Sequence, residues 1–275
     1  MDLCIEIMNN IGVHMNLELL KNNLYISTID KNAIDLSKKY NAGLELCQFT
    51  TTSNLEGEYF KYWFEQAMEC KKSNSKLLFH APFNEIYPSS IDEDVRELAM
   101  KKLNRAFDIS YNYLDIKKMI VHSGYVNNVY FHQWFVEKSI IFWKRFMINK
   151  PNDFELCIEN VFDDKSEYLS EIIDGINDER VGICIDIGHA NVVSDKDVLS
   201  WIDEFGKRIK HVHLHNNYGV NDEHGEICDG NMDVEKLLVR LMKLSQEKKT
   251  IGKNELTYTL ETRNTEKSIK YILGL

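Results

Sequence analysis

Short apolar runs alternate along the chain with longer stretches in which apolar residues recur every three or four positions. The short runs predict strands and the longer stretches predict amphipathic helices. Because parallel strands need crossover connections of about that length, the alternation indicates repeated βα units. The eight predicted strands are Leu3–Met8, Gly43–Phe49, Lys76–His80, Lys118–His122, Glu155–Glu159, Val181–Asp186, Lys210–His215 and Glu255–Glu261.

Helices predicted between these strands complete the pattern, and Ser90 with Glu93 is spaced as a capping box at the start of one of them. Eight such units fill 275 residues and leave no room for a second domain. We therefore predict a single (β/α)8 TIM barrel over residues 1–275 rather than an open doubly wound sheet, which more often has a glycine-rich first loop. The predicted helices are Ile91–Leu114, Phe131–Met147, Glu167–Ile176, Lys196–Phe205, Val234–Glu247 and Thr265–Leu273.

The composition narrows the class of protein. Hydrophobic residues make up 44% and charged residues 28%, as in soluble globular proteins. The sequence contains no long apolar run and no secretory signal pattern, so we expect no membrane span and a cytoplasmic location. Six cysteines without a Cys-x-x-Cys pair argue against disulfides and a zinc knuckle. The net charge of −10 argues against a broad nucleic-acid surface.

Metal-ligand residue types stand at the end of every predicted strand from the third onward. In a barrel these ends converge on one face, where chemistry is expected. A single histidine or carboxylate in such a place is more often a hydrogen-bonded core residue or a helix cap, but repetition on six consecutive strands predicts a shared site. The residues are His80, His122, Glu159, Asp186, His189, His211, His213, His215, Asp222, His224 and Glu261.

The seventh strand carries three of these histidines at alternate positions, so His211, His213 and His215 share the interior side of the barrel. We expect His213 to be the metal ligand, with His211 packed deeper and His215 at the mouth. Mixed carboxylate and imidazole ligands favour Mn(II), Zn(II), Co(II) or Fe(II) over Ca(II).

The motifs at these positions resemble the xylose isomerase-like TIM-barrel superfamily, which includes sugar phosphate isomerases, epimerases and endonuclease IV. They are His-Ala-Pro-Phe at 80–83, Val-His-Ser-Gly at 121–124, Ile-Glu-Asn at 158–160, Asp-Ile-Gly-His at 186–189, His-Leu-His-Asn-Asn at 213–217, Asp-Glu-His at 222–224 and Leu-Glu-Thr at 260–262.

The resemblance implies a ligand set. Keto-sugar epimerases hold one divalent ion with residues that map onto Glu159, Asp186, His213 and Glu261, and the two glutamates also act as acid and base. The endonuclease IV pattern adds two more ions, so the resemblance implies one to three ions of Mn, Zn or Co. The further ligands map onto His80, His122, His189, Asp222 and His224.

Two functions follow from the resemblance. The first is a metal-dependent sugar or sugar phosphate isomerase or epimerase, in which Glu159 and Glu261 move a proton through an enediolate. The alternative is a multinuclear zinc phosphodiesterase acting on abasic DNA. We prefer the isomerase because the predicted loops near 50–56, 84–92, 123–131 and 216–231 carry almost no positive charge, which argues against nucleic acid. Residues 214–230 contain no Arg or Lys, so the arginine that holds the substrate in sugar epimerases is also missing there. A barrel that keeps the metal without catalysis is a third hypothesis.

The isomerase hypothesis assigns further contacts with a small carbohydrate substrate. His189 and His215 are expected to position substrate oxygens. Aromatic residues such as Tyr125 and Trp134 either wall the pocket or pack against the following helix. A homodimer is an expectation from the family resemblance alone.

Overall fold

The computed structural model describes residues 17–274, and these form a closed barrel of eight parallel strands. Each strand pairs with the next one along the chain, and β8 pairs with β1. The predicted (β/α)8 fold is therefore confirmed. The strands are β1 Leu24–Ser27, β2 Gly43–Leu46, β3 Leu77–His80, β4 Lys118–His122, β5 Glu155–Glu159, β6 Val181–Asp186, β7 Ile209–Leu214 and β8 Thr257–Leu260.

Helices follow the strands and cover the outside of the barrel. Because both faces of the sheet are then covered, β6 is buried at every position. None of the described helices is both long and apolar enough to cross a bilayer. The helices are α1 Leu17–Asn22, α2 Ala33–Tyr40, α3 Gly57–Ser73, α4 Glu93–Phe107, α5 His132–Met147, α6 Glu167–Ile176, α7 Ile187–Val193, α8 Val198–Phe205, α9 Val234–Thr250 and α10 Thr265–Leu273.

The first barrel strand differs from the prediction. The segment Leu3–Met8, predicted as the first strand, lies outside the described residues. The strand between β8 and β2 is instead Leu24–Ser27. Its Tyr25 pairs with Gly43 of β2 on one side and with Thr259 of β8 on the other. This strand has only four residues, too few to show a clear alternation of apolar and polar positions.

The start and the end of α4 also differ from the prediction. The capping residue is Asp92, whose Oδ1 accepts a hydrogen bond from the Asp94 amide at 2.9 Å, so the capping box predicted at Ser90 and Glu93 is wrong. The predicted helix to Leu114 changes after Phe107 into a π-helical stretch over Asp108–Tyr113. Both differences are local and leave the crossover between β3 and β4 in place.

Candidate metal centre

Imidazole and carboxylate side chains from β3 to β8 and the loops after them converge at the carboxyl ends of the strands. In five groups of described residues, one candidate ligand atom per residue lies within 4.8 Å of the others, and three of these groups consist only of candidate residues from the sequence analysis. The other two are Cys184 with His211 and His213, and Glu45 with His80 and His213. Glu159 belongs to two of the groups. The inner group is His80, His122 and Glu159, the central group is Glu159, Asp186, His213 and Glu261, and the outer group is His189, His215, Asp222 and His224.

Glu159 is fully buried and its two oxygens face different groups. Its Oε1 lies 3.2 Å from Nδ1 of His213. Its Oε2 lies 3.4 Å from Nε2 of His80 and 3.5 Å from Nε2 of His122, yet it has no hydrogen-bond partner. A buried carboxylate oxygen without a partner costs free energy, which a cation between it and the two imidazoles would recover. The geometry of the inner group therefore fits a divalent ion.

The central group concentrates three buried carboxylates around one imidazole. Nδ1 of His213 lies 3.0 Å from Oε2 of Glu261 and 3.6 Å from Oδ2 of Asp186. Burial alone would lower the pKa of His213, but the surrounding negative charge of Glu159 and its neighbours raises that pKa well above its usual value. So much negative charge in a buried site is what a divalent cation neutralises.

The outer group is built on the loop after β7, in which Asn216 and Gly225 form an antiparallel bridge. Oδ2 of Asp222 lies 3.0 Å from Nε2 of His224 and 3.3 Å from Nε2 of His189. The third imidazole nitrogen, Nδ1 of His215, is buried without a hydrogen-bond partner and lies 3.7 Å from Oδ1 of Asp222. The outer group thus contains a buried ligand atom without a partner, as the inner group does.

Main-chain carbonyls orient three of the histidines. Nδ1 of His80 donates to the Ala81 carbonyl at 2.9 Å, and Nδ1 of His224 donates to the Glu261 carbonyl at 2.9 Å. Nδ1 of His189 similarly donates to the Asn160 carbonyl at 3.0 Å. In each ring the other nitrogen, Nε2, is left to face a carboxylate. Metal-binding histidines are commonly held in this way.

Glu45 of β2 is the main site residue that the sequence analysis missed. It is fully buried, and its Oε1 and Oε2 lie 3.1 Å from Nε2 of His213 and of His211. Thr259 donates to the same Oε2 at 2.5 Å. Because β2 and β7 are not neighbours, these contacts cross the barrel interior. They also direct Nδ1 of His213 toward the central group. An acidic residue within the apolar strand Gly43–Leu46 was the available signal.

The predicted substrate contacts are not all at the cavity above these groups. His189 and Tyr125 line this cavity, which has a volume of about 1010 Å³. Trp134 is not among its lining residues, and its indole nitrogen donates to the Ser89 carbonyl.

His215, expected at the mouth, is instead fully buried and does not line the cavity. It lies directly beneath Gly188, where a Cβ atom would come within 1.9 Å of its ring. His211 lies deeper, as expected.

The cavity wall combines aromatic and basic side chains. Phe83 stacks on His122 with 4.4 Å between ring centroids, and Phe162 lies on the same wall. Two exposed basic residues, Lys31 after β1 and Arg263 after β8, also line the cavity. They lie outside the loops whose lack of positive charge was noted in the sequence, so the cavity does contain candidate anchors for an anionic group.

Asp163 in the loop after β5 lies under the cavity wall and is fully buried. Its Oδ2 accepts hydrogen bonds from the Ser123 hydroxyl at 2.6 Å and the Val161 amide at 3.0 Å, whereas its Oδ1 is unpartnered. Burial raises the pKa of Asp163 to about 6. The folded protein therefore keeps a proton that the unfolded chain loses at lower pH.

This difference predicts a pH dependence of stability. Between about pH 4 and about pH 6, the folded state binds more protons than the unfolded state, so the free energy of unfolding falls as pH rises. Relative to Asp163→Asn, the wild type is expected to lose about 3 kcal/mol over this range. Urea denaturation of both proteins at a series of pH values measures the difference. A constant difference would show that Asp163 is ionised in the folded protein.

Comparison with known proteins identifies related sequences. A family model described as xylose isomerase-like TIM barrel matches residues 41–246. The MJ1311 protein of Methanocaldococcus jannaschii, which is uncharacterised, is 29% identical over 62% of the chain. A Metamycoplasma arthritidis protein named "Probable endonuclease 4" is 26% identical over 64% of the chain and 70% of its own length. The chain spans 62% of the length of the Methanocaldococcus relative.

Solved structures share the fold. A D-tagatose 3-epimerase-like protein superposes with a TM-score of 0.67 at 23% identity, over 90% of this chain and 93% of that one. The TTHB071 protein from Thermus thermophilus, whose crystal was soaked with ZnCl2, gives a TM-score of 0.69 at 20% identity, over 92% and 97%. At these identities the similarity concerns the fold.

Proposed function

Because the chain belongs to the family of xylose isomerase-like TIM barrels, we propose that it is a metal-dependent hydrolase that cleaves a phosphate ester in the cavity above its three ligand groups. The observation that supports this proposal is the position of Glu159, whose oxygens face two groups at once. A carboxylate shared in this way is typical of sites with two or more ions, and such sites serve phosphoryl transfer.

The residues of the chain would divide the work as follows. Divalent ions held by the three groups would polarise the phosphoryl oxygens and lower the pKa of water. Glu261, which lines the cavity, accepts a proton from the attacking water as the oxygen adds to phosphorus. The ester P–O bond breaks, and the departing alkoxide takes its proton from solvent. Lys31 and Arg263 are placed to bind a further anionic group of the substrate.

This proposal departs from the isomerase that we prefer from the sequence, and two features of the site support the departure. Oε1 of Glu159 faces the central group and Oε2 faces the two imidazoles of the inner group, as expected of a carboxylate that two ions would share. In addition, a reaction that uses one ion assigns no metal to the inner and outer groups, although His189, which lines the cavity, could still position a substrate. The few basic residues on the wall favour a small phosphate ester, such as a sugar phosphate, over DNA.

The sugar isomerase or epimerase is retained as the second candidate because Glu159 and Glu261 flank the same central group. In that mechanism one glutamate would take the proton from a carbon next to the ketose carbonyl, and the other would return it to the resulting enediolate. Only the central group would be required. The hydrolase therefore needs His80 and His122 as metal ligands, whereas the isomerase does not.

Metal content and a substrate panel separate the two candidates. We expect two or three Mn, Zn or Co ions per chain by elemental analysis, together with hydrolysis of bis(p-nitrophenyl) phosphate or sugar phosphates. His122→Asn should then lose one ion and reduce hydrolysis about a hundredfold, whereas the exposed His132→Asn is the matched control. One ion per chain, with solvent deuterium entering a ketose equally fast in His122→Asn, would establish the isomerase instead. Nicking of an abasic duplex would extend the substrate to DNA.

A further inference from the structure

A second cavity, of about 760 Å³, lies at the opposite end of the barrel, among the amino ends of the strands. Five lysines line it, and three of them, Lys118, Lys210 and Lys248, lie near the carboxylate of Glu155. Lys118 and Glu155 are the first residues of β4 and β5, Lys210 is the second residue of β7, and Lys248 comes from α9. We call these four residues the floor cluster.

Glu155 is already shared between two of the lysines. Its Oε2 lies 3.2 Å from Nζ of Lys118, and its Oε1 lies 3.0 Å from Nζ of Lys210. Burial would raise the pKa of Glu155, but the two ammonium groups lower it to about 2. The carboxylate is therefore ionised and its charge is divided between two cations.

Lys248 has no carboxylate of its own in this cluster. It is only 3% exposed, and its ammonium donates to the Ile209 carbonyl. An ammonium has three donors, so one carbonyl leaves most of its hydrogen-bonding capacity unused. Burial, reinforced by Lys210 and Lys118, lowers the pKa of Lys248 to about 8. Three largely buried cations against one anion is a costly arrangement that a bound anion would relieve.

Other acidic residues on the cavity wall do not correct this imbalance. Asp174 pairs with Arg208 at 2.5 Å, and Asp178 pairs with Arg180 at 2.6 Å. Glu255 pairs with Lys249 at 2.6 Å. Glu179 is exposed at the edge of the cavity. The excess positive charge thus remains at the floor cluster, inside a protein whose net charge is −10.

We propose that the floor cluster binds a small tetrahedral oxyanion, either free phosphate or the phosphate group of a small metabolite, through the ammonium groups of Lys118, Lys210 and Lys248. Such an anion supplies several acceptor oxygens at once, which matches the number of donors that converge there. The position of Gly182 supports this arrangement. A Cβ atom there would lie 2.5 Å from the Lys210 side chain, so glycine is what leaves room for the lysine stem.

Inorganic phosphate in titration calorimetry at constant ionic strength tests the proposal. We expect one phosphate per chain at the floor cluster, with Lys248→Met and Lys210→Met each weakening the affinity at least about tenfold. Lys253→Met, which changes an exposed lysine on the rim of the same cavity, should leave it unchanged. If Lys248→Met does not fold, Lys210→Met carries the test, because Lys210 is partly exposed.

A second arm separates this binding from the metal centre at the other end of the barrel. Phosphate bound at the floor cluster should persist after treatment with a chelator, whatever the outcome for the proposed hydrolase. Titration with glycerol phosphate then tells whether an esterified phosphate also fits. The proposal is overturned if phosphate does not bind at millimolar concentration, if chelation abolishes binding, or if the lysine variants bind as the wild type does.

Discussion

Replacing Glu159 with glutamine is expected to remove the ions of both the inner and the central group and to lower phosphate ester hydrolysis about a thousandfold. The amide keeps the size of the side chain but carries no negative charge and offers one oxygen instead of two. Because the two groups share this one carboxylate, a single substitution acts on both. Elemental analysis of the purified variant measures the loss directly.

Asp222→Asn provides the matched comparison, since Asp222 belongs to the outer group alone. That variant should lose one ion and keep the other two, whereas Glu159→Gln should keep only the outer ion. Far-UV circular dichroism checks that both variants are folded. Equal metal loss in the two variants would mean that Glu159 is not shared between ions.

Replacing Glu45 with alanine is expected to destabilise the protein by about 3–5 kcal/mol, because it leaves two buried imidazoles, His211 and His213, without their carboxylate. The same change should weaken metal binding, since Nδ1 of His213 is oriented by the hydrogen bond from its Nε2 to Glu45. Thermal or urea denaturation with and without added Zn(II) measures both effects.

Glu45→Gln separates the two effects. Glutamine fills the same space and can accept a hydrogen bond from one imidazole, so we expect most of the stability to return. Metal affinity should stay about tenfold to a hundredfold below the wild type, because one amide cannot accept from both rings. If Glu45→Gln binds metal as tightly as the wild type, Glu45 has only a structural role.

Most of the fold could be predicted from the sequence because seven of the eight strands are apolar segments that lie between amphipathic helices. The exception, β1, is four residues long, and its identity depends on pairing with Gly43 and Thr259 rather than on its own pattern. The cap of α4 was missed for a similar reason. Asp92, Ser90 and Glu93 are all reasonable capping residues, and only the backbone geometry selects Asp92.

The candidate site was predictable where it follows the strand ends, since closure of a barrel brings every strand end to one face. Glu45 lies within a strand, and its partners lie across the barrel on β7, a relation that no local pattern contains. The depth of His215 was likewise set by a distant contact. The His215 ring packs against Gly188, and its Nε2 forms a hydrogen bond with Oδ1 of Asp186 at 2.9 Å. The alternation of side chains along β7 does not predict either contact.

The ligand groups occupy only part of the ring of strands. All of their members come from β3 to β8 and the loops that follow, whereas β1 and β2 meet the cavity through residues such as Thr28, Ile29 and Gln48. Part of the cavity wall is therefore formed by the loops after two strands that supply no member of the three groups, while Phe83, Phe162 and Arg263 also line it. The cavity-lining positions of these two loops can be redesigned, or can drift between relatives, without altering a ligand of the three groups. They are Thr28, Ile29, Lys31, Cys47, Gln48 and Thr50.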